Sequence, residues 1–350
     1  MRKAVVLGLT LSALLSSSVL AADLSPLNPD SEPDRIAWYQ VPQKFGPAPQ
    51  VRGQKFGAVL KTLTNDFWRL LAKGYRTAAA DAGAKVDVQA AQGESDQMGQ
   101  LAMMENMIGP QYKALMISPQ TDANLQPAID EAEKAGIPVI NVDDAVVSSI
   151  GHFVGVVQRE NGVRVAKWFV EHYPNGGEVA IIEGQAGVFA ALQRTIGFKE
   201  TIAASGKLKV VASVPGNWDR QQSYDAAVNI LQTHPKLVGI YANNDTMALG
   251  AVEAVKSLGL AKQVHVFGTD GTTDAYSSIK AGDMEGTVDS FPVLTGEIAF
   301  DAAARLTVGQ KLPRVVATPQ VLVTRENMAR FTGDEKSVRA ALIEDATSSH

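Results

Sequence analysis

The chain has 350 residues, 45% hydrophobic and 20% charged, which excludes disordered and fibrous classes and allows two domains of ordinary size. Its formal charge is −5 and becomes −7 once Arg2 and Lys3 leave with a targeting segment; an acidic chain without a basic run is unsuited to nucleic acid, whose phosphates require clustered Lys and Arg. There is no cysteine, which excludes disulfides, thiolate catalysis, Cys-ligated zinc and a lipid anchor attached through Cys.

Residues 1–21 read as a secretory signal. Arg2 and Lys3 precede an apolar run over 4–15, and small residues lead to a cleavage site after Ala21. The run is shorter than the roughly 20 residues of a membrane span. Export without a lipid anchor makes the periplasm the expected location. Residues 22–53 hold six of the sixteen prolines, Pro26, Pro29, Pro33, Pro42, Pro47 and Pro49. They read as an irregular or extended lead segment. Trp38 and Tyr39 are expected to pin it to the nearest domain, with a partner contact as the alternative.

A regular alternation begins at Lys55. Strand 56–60 leads to a helix over 66–82 with Phe67, Leu70, Leu71 and Tyr75 on its apolar face. Strand 86–88 and a helix over 95–108, capped by Ser95, come next. Strand 114–117, helix 123–135 and strand 138–142 repeat the pattern, ending in strand 153–156. The second half runs through helix 162–171, strand 178–182, helix 189–204, strand 209–213, helix 221–232, strand 237–242, helix 246–258, strand 264–267, helix 272–281 and strand 285–288. Helix 293–308 and strand 320–323 are left over, and 331–350 reads as a loosely attached tail. Such alternation specifies parallel strands joined by crossover helices. The fold class is therefore α/β, with two Rossmann-like domains and a ligand cleft between the facing strand ends. The stretch 237–252, LVGIYANNDTMALGAV, displays the device: a buried strand turns into a helix with small polar side chains at its carboxyl end.

Seven segments, each at a strand end, resemble one family in the right order: TLTNDFW (62–68), LMISPQTDA (115–123), AGIPVINVDD (135–144), LQRTIGF (192–198), NWDR (217–220), NNDTMALGA (243–251) and FGTDGT (267–272). Over about 55–327 the chain resembles the type I periplasmic sugar-binding proteins, closest in pattern to the ribose-binding ones. The resemblance implies three crossings between domains, forming a hinge that closes around a ligand. The N-terminal lobe would take 54–156 plus 291–319, and the C-terminal lobe 157–290 plus 320–330.

A sugar presents apolar C–H faces and a rim of hydroxyls, so its site needs aromatic plates and fixed amides or carboxylates. Phe67, Trp68 and Trp218 match the family's plates, with packing at the helix start as the alternative for Phe67. Asn65 matches an amide before the first helix. Asp143 is a carboxylate able to accept from two adjacent hydroxyls, and Arg194 a fork donating to oxygens, unless it is an exposed helix arginine. Asn244 and Asp270 match the second domain's amide and carboxylate. The capping role beside Asn244 is assigned to Asp245. Three positions depart from the ribose-binding pattern: Ser118, where those proteins carry Asn; Asp144, where they carry Arg; and Ser290, where they carry Gln. If Asp144 faces the ligand, Asp143, Asp144 and Asp270 against Arg194 leave a net −2, which repels sugar phosphates and uronic acids and suits a neutral sugar, a polyol or an amino sugar. If it points to solvent, that argument fails.

The five histidines, His152, His172, His234, His265 and His350, stand alone, beside neither a metal-ligand partner nor a nucleophile. No phosphate-binding or nucleophile-elbow motif follows a strand, and Gly184-Gln185-Ala186-Gly187 reads as a tight turn. The expectation is a binding protein without catalysis, cofactor or metal, and a monomer. Its partners are a sugar or polyol and the membrane permease of an ABC importer, or, in a sensory alternative, a chemoreceptor or sensor kinase. Lac-repressor-like regulators share the fold but need an N-terminal DNA-binding motif, where this chain has a signal and a proline-rich segment.

Overall fold

The structure, a computed structural model, describes residues 25–348; the expected signal peptide lies outside the described residues. The elements in chain order are β1 (Arg35–Ala37), α1 (Val41–Phe45), β2 (Lys55–Leu60), α2 (Asp66–Asp81), β3 (Lys85–Ala90), α3 (Gln97–Asn106), β4 (Tyr112–Ile117), α4 (Gln126–Lys134), β5 (Val139–Val142) and β6 (His152–Gly155). They continue as α5 (Gln158–His172), β7 (Gly177–Glu183), α6 (Phe189–Ser205), β8 (Leu208–Pro215), α7 (Arg220–Thr233), β9 (Leu237–Ala242), α8 (Asp245–Ser257), β10 (His265–Asp270), α9 (Thr273–Ala281) and β11 (Gly286–Asp289). The last are α10 (Pro292–Thr307), β12 (Val315–Ala317), β13 (Val321–Thr324) and α11 (Glu335–Ser348).

The strands form two sheets. The first runs β1-β12-β6-β5-β4-β2-β3 and is parallel throughout; the second runs β13-β11-β10-β9-β7-β8, with only β13 antiparallel. The chain passes between sheets three times: after β6, after β11 and after β12. Each sheet reverses its winding direction once, between β2 and β4 in the first and between β7 and β9 in the second. At such a point the loops diverge to either side and leave a crevice at the strand carboxyl ends.

Local chemistry accounts for the elements. β4 is apolar on both faces because helices cover both, as parallel sheets require. α2 buries Phe67, Leu71 and Tyr75, spaced four apart along one stripe. α5 and α6 cross closely because each presents a glycine at the crossing. A Cβ on Gly162 would stand 2.0 Å from the Arg194 carbonyl oxygen, and one on Gly197 2.2 Å from that of Arg159.

Three expectations need correction, and one short strand is absent from the sequence reading. The lead segment is not irregular throughout: β1 pairs with β12 at the edge of the first sheet. Trp38 is buried in that domain's core, in edge-to-face contact with Tyr39 at 5.9 Å, so the pair does pin the segment. β12 itself is only three residues long, between Pro313 and Pro319, too short to carry a period. The cap of α3 is Asp96, whose Oδ1 accepts from Gly99 N at 2.9 Å, rather than Ser95. The terminal stretch is a docked helix: Leu342 is buried, and Arg339 pairs with Glu297 of α10 at 2.6 Å and lies over the Trp38 ring.

Candidate functional site

The carboxyl ends of the two sheets face each other across a narrow cavity lined from both sides. The first domain lines it with Asn65, Phe67, Trp68, Glu94, Asp143 and Asp144, and the second with Arg194, Trp218, Asn244 and Asp270. Nine of the eleven expected residues are therefore brought together, and Glu94 is added to them.

The first wall follows β2. Asn65 caps α2, its Oδ1 accepting from Phe67 N at 3.0 Å, and its Nδ2 donates to Glu94 Oε1 at 3.3 Å. Trp68 Nε1 donates to the same oxygen at 3.0 Å. Phe67 and Trp68 meet edge to face with ring centroids 4.8 Å apart, so Phe67 both packs the helix start and lines the cavity. Burial pushes the Glu94 carboxyl above its ordinary range, although Lys61 pulls the other way.

Asp143 and Asp144 follow β5 with φ of 51° and 57°, a left-handed turn that costs non-glycine residues about 1–3 kcal/mol each. Two consecutive left-handed residues turn the backbone so that both carboxylates line the cavity. Asp144 does face it, but as half of an ion pair: Lys61 Nζ, fully buried, contacts its Oδ2. The same ammonium lies 5.9 Å from the Trp68 ring centroid and 5.8 Å from that of Trp218, which supplies cation–π attraction from both plates. Asp143 accepts from Gln158 Nε2. Burial raises its carboxyl to about 6, against the pull of Arg194.

Arg194 is buried, which removes the exposed-arginine reading. Its Nε donates to Gln158 Oε1 at 2.8 Å and its Nη1 to the Asn243 carbonyl at 2.7 Å, with Asp270 Oδ1 at 3.8 Å. Gln158 thus ties the arginine of one domain to the Asp143 carboxylate of the other. Asp270 ends β10 at φ 138°, and burial, with Asp245 next, raises its carboxyl well above the ordinary range.

Trp218 has φ 63°, directly after Asn217 at 52°. Its indole lies flat against Gly184, where a Cβ would stand 2.0 Å from Cη2. Gly184 is thus the seat of the plate as well as part of a turn. The indole N–H is buried and has no hydrogen-bond partner among the described residues.

The division of labour between Asn244 and Asp245 is corrected. Asn244 caps α8, its Oδ1 accepting from Met247 N at 2.9 Å, while also lining the cavity. Asp245 caps nothing in its own helix. It is buried and accepts from Gly271 N, Thr272 N, Thr272 Oγ1 and Thr287 Oγ1, fixing the turn that carries Asp270.

Ser118 and Ser290 do not line the cavity. The Ser118 hydroxyl donates to the Val142 carbonyl at 2.8 Å, beneath the strand ends. Ser290 is fully buried, with its N–H on the Asp270 carbonyl at 3.2 Å. Residues missed by sequence reasoning are Glu94, Lys61 and Gln158. Lys61 follows β2 directly and Glu94 lies in the loop four residues beyond the end of β3, so strand-end placement was a usable signal for Lys61 and a weaker one for Glu94; Gln158 carried none.

Bonds between the domains surround the cavity. Asp66 Oδ2 accepts from Thr273 N at 3.1 Å, Asp122 Oδ1 from Phe189 N at 3.0 Å, and the Asp144 carbonyl from Ala190 N at 3.1 Å.

Comparison with known proteins agrees with this architecture. A family model described as a periplasmic binding protein domain matches residues 56–311. The chain is 34% identical over 286 residues to the D-allose-binding periplasmic protein of Escherichia coli K12, covering 77% of this chain and 92% of that protein. It is 32% identical over 329 residues to the ribose import binding protein of Bacillus subtilis 168, covering 93% and 100%. Among solved structures, an ABC transporter periplasmic solute-binding protein of Actinobacillus succinogenes 130z with bound D-allose superposes with a TM-score of 0.75 at 33% identity, covering 79% of this chain and 99% of that one.

Proposed function

Because the chain belongs to the periplasmic binding protein domain family, we propose that it captures a neutral monosaccharide or related polyol between its two domains and delivers it to the permease of an ABC importer. The observation that carries this reading is the cavity itself, to which each domain contributes aromatic faces and fixed polar groups. Phe67, Trp68 and Trp218 would cover the sugar's C–H faces; Asn65, Asp143, Arg194, Asn244 and Asp270 would meet its hydroxyls. The location this implies is the periplasm, and the protein acts as a monomeric carrier that leaves its ligand chemically unchanged. The proposed lobes are 54–156 plus 291–319 and 157–290 plus 320–330, with closure about the three crossings.

Charge narrows the ligand. Four carboxyls, Glu94, Asp143, Asp144 and Asp270, stand with two cations, Lys61 and Arg194. The acidic surplus disfavours sugar phosphates and uronic acids, since an unpaired buried anion is costly. Lys61 engages Asp144, so the carboxylate is no longer free for an ammonium, which favours neutral sugars over amino sugars. Relatives bind D-allose or import ribose by name, which makes those two the first probes. In a thermal-shift screen D-allose or D-ribose is expected to raise the Tm through selective binding to the native state, whereas ribose 5-phosphate and galacturonate leave it unchanged. A series of neutral sugars and polyols without any shift overturns the proposal.

A further inference from the structure

The helix α5 has no side-chain cap from its own flank, because Val157 occupies the cap position. Its first N–H groups are taken instead by Asp30, 128 residues upstream: Oδ1 accepts from Gln158 N at 2.9 Å and Oδ2 from Arg159 N at 2.8 Å. Asp30 precedes the region in which the family is recognised, which begins at 56. The lead segment holds it against the first domain. Leu27 is buried among first-domain side chains and its N–H reaches the Ser148 carbonyl at 2.8 Å, Glu32 pairs with Arg314 at 2.9 Å, and β1 joins the sheet edge. α5, by contrast, packs against α6 and the second sheet. The Asp30 bonds therefore span the two domains, beside the crossings: Gln320, just before β13, clasps Val157 through N–H and carbonyl at 2.9 and 3.1 Å.

What makes this span consequential is Gln158. The residue whose backbone Asp30 holds is the one whose side chain ties Asp143 to Arg194. We propose that Asp30 is a positioning residue for the ligand site, acting through the first turn of α5 to fix Gln158, and through it the spacing of Asp143 and Arg194; the consequence for sugar affinity rests on the function proposed above.

The test uses the purified full-length protein and four variants: Asp30→Ala, Asp30→Asn, Gln158→Ala and the Asp30→Ala/Gln158→Ala double. By calorimetry with D-allose and D-ribose, Asp30→Ala is expected to weaken binding by up to about fivefold, the factor reached if the whole stabilising effect of one helix cap is felt at the ligand site. Asp30→Asn keeps one of the two acceptor oxygens and sets its amide N–H against a backbone N–H, so its affinity falls between the parent and Asp30→Ala. In the Gln158→Ala background the Asp30 change adds nothing, because its route is already cut. Parental affinity in a folded Asp30→Ala protein overturns the proposal, and so does a full further loss in the double variant. A second readout needs no sugar: the Arg194 Nε–H resonance of the unliganded protein should shift in Asp30→Ala and shift less in Asp30→Asn, which restores one of the two bonds. An unmoved resonance overturns the positioning role whatever the protein binds; a moved one, in a protein that binds none of the neutral sugars and polyols screened, upholds it and rejects only the proposed function.

Discussion

Trp218 and Gly184 form one device. The indole rests on a backbone that has no Cβ, and a methyl group at Gly184 would occupy the ring's position. Gly184→Ala is therefore expected to lift the plate into the cavity and reproduce the loss of sugar binding expected of Trp218→Ala, with the Tm of the sugar-free protein within a few degrees of the parent. Titration calorimetry checks both variants together; Gly184→Ala binding like the parent while Trp218→Ala does not would separate seat from plate. Residue types at this site were legible in the sequence: the aromatic plates, Arg194 and the strand-end carboxylates all reach the cavity. Their conformations were not. Asp143, Asp144, Trp218 and Asp270 all hold positive φ without being glycine, and such strain persists only where tertiary packing over-determines it, which no local pattern records. Lys61 escaped for a related reason, since a buried ammonium is stable only beside a partner from elsewhere in the chain, here Asp144 in the turn after β5.

Helices and strands with a strong period were read correctly to within a few residues, and the exceptions share one cause. β1, β12 and α11 are stabilised by what they dock on rather than by their own pattern. β1 and β12 are three residues each and pair with each other, while α11 buries essentially one side chain, Leu342. A helix with so narrow an apolar contact depends on it. Leu342→Ala is expected to cost about 2–3 kcal/mol of stability in urea unfolding, the lower part of the range for buried leucines, with sugar affinity unchanged because the residue lies in the core cluster and not at the cavity. A loss below about 0.5 kcal/mol, typical of surface substitutions, would mean that the helix is not docked in solution. Caps follow the same division. Asp96, Asp219 and Thr272 serve their own helices and could be sought locally. The α6 N-terminus, with Val188 at its cap position, receives Asp122 from the opposite domain, and only the folded chain brings the two together.

Across the whole molecule, the carboxyls buried at the strand ends of both domains couple stability to pH. Burial raises Asp143 and Asp245 to about 6 and Asp289 to about 7, from an ordinary value near 3.8. A carboxyl raised in the folded state binds its proton more tightly there than in the unfolded chain, so its stabilising contribution is complete below about 3.8 and is lost as pH rises through 6 to 7. Groups shifted the other way act at different places. Glu285, held down by His265 through a hydrogen bond, contributes above its ordinary value of 4.5 and is lost only on further acidification. His152, whose proton affinity burial lowers, costs stability as pH falls below 6.5 and so opposes the carboxyls in part of the same window. The net slope therefore mixes signs, and a single substitution separates them. Asp289 lies beyond the cavity, accepting from Tyr276 Oη at 2.7 Å and Phe291 N at 2.6 Å, so Asp289→Asn imitates the protonated acid without touching the proposed sugar site. Measured by thermal unfolding of the sugar-free protein, the parent is expected to lose stability relative to Asp289→Asn as pH is raised from about 4 to about 7, and the two to differ by a constant below that window. Parallel curves through the whole range would show that Asp289 is ionised in the fold, and would move the pH dependence to the carboxyls that line the cavity.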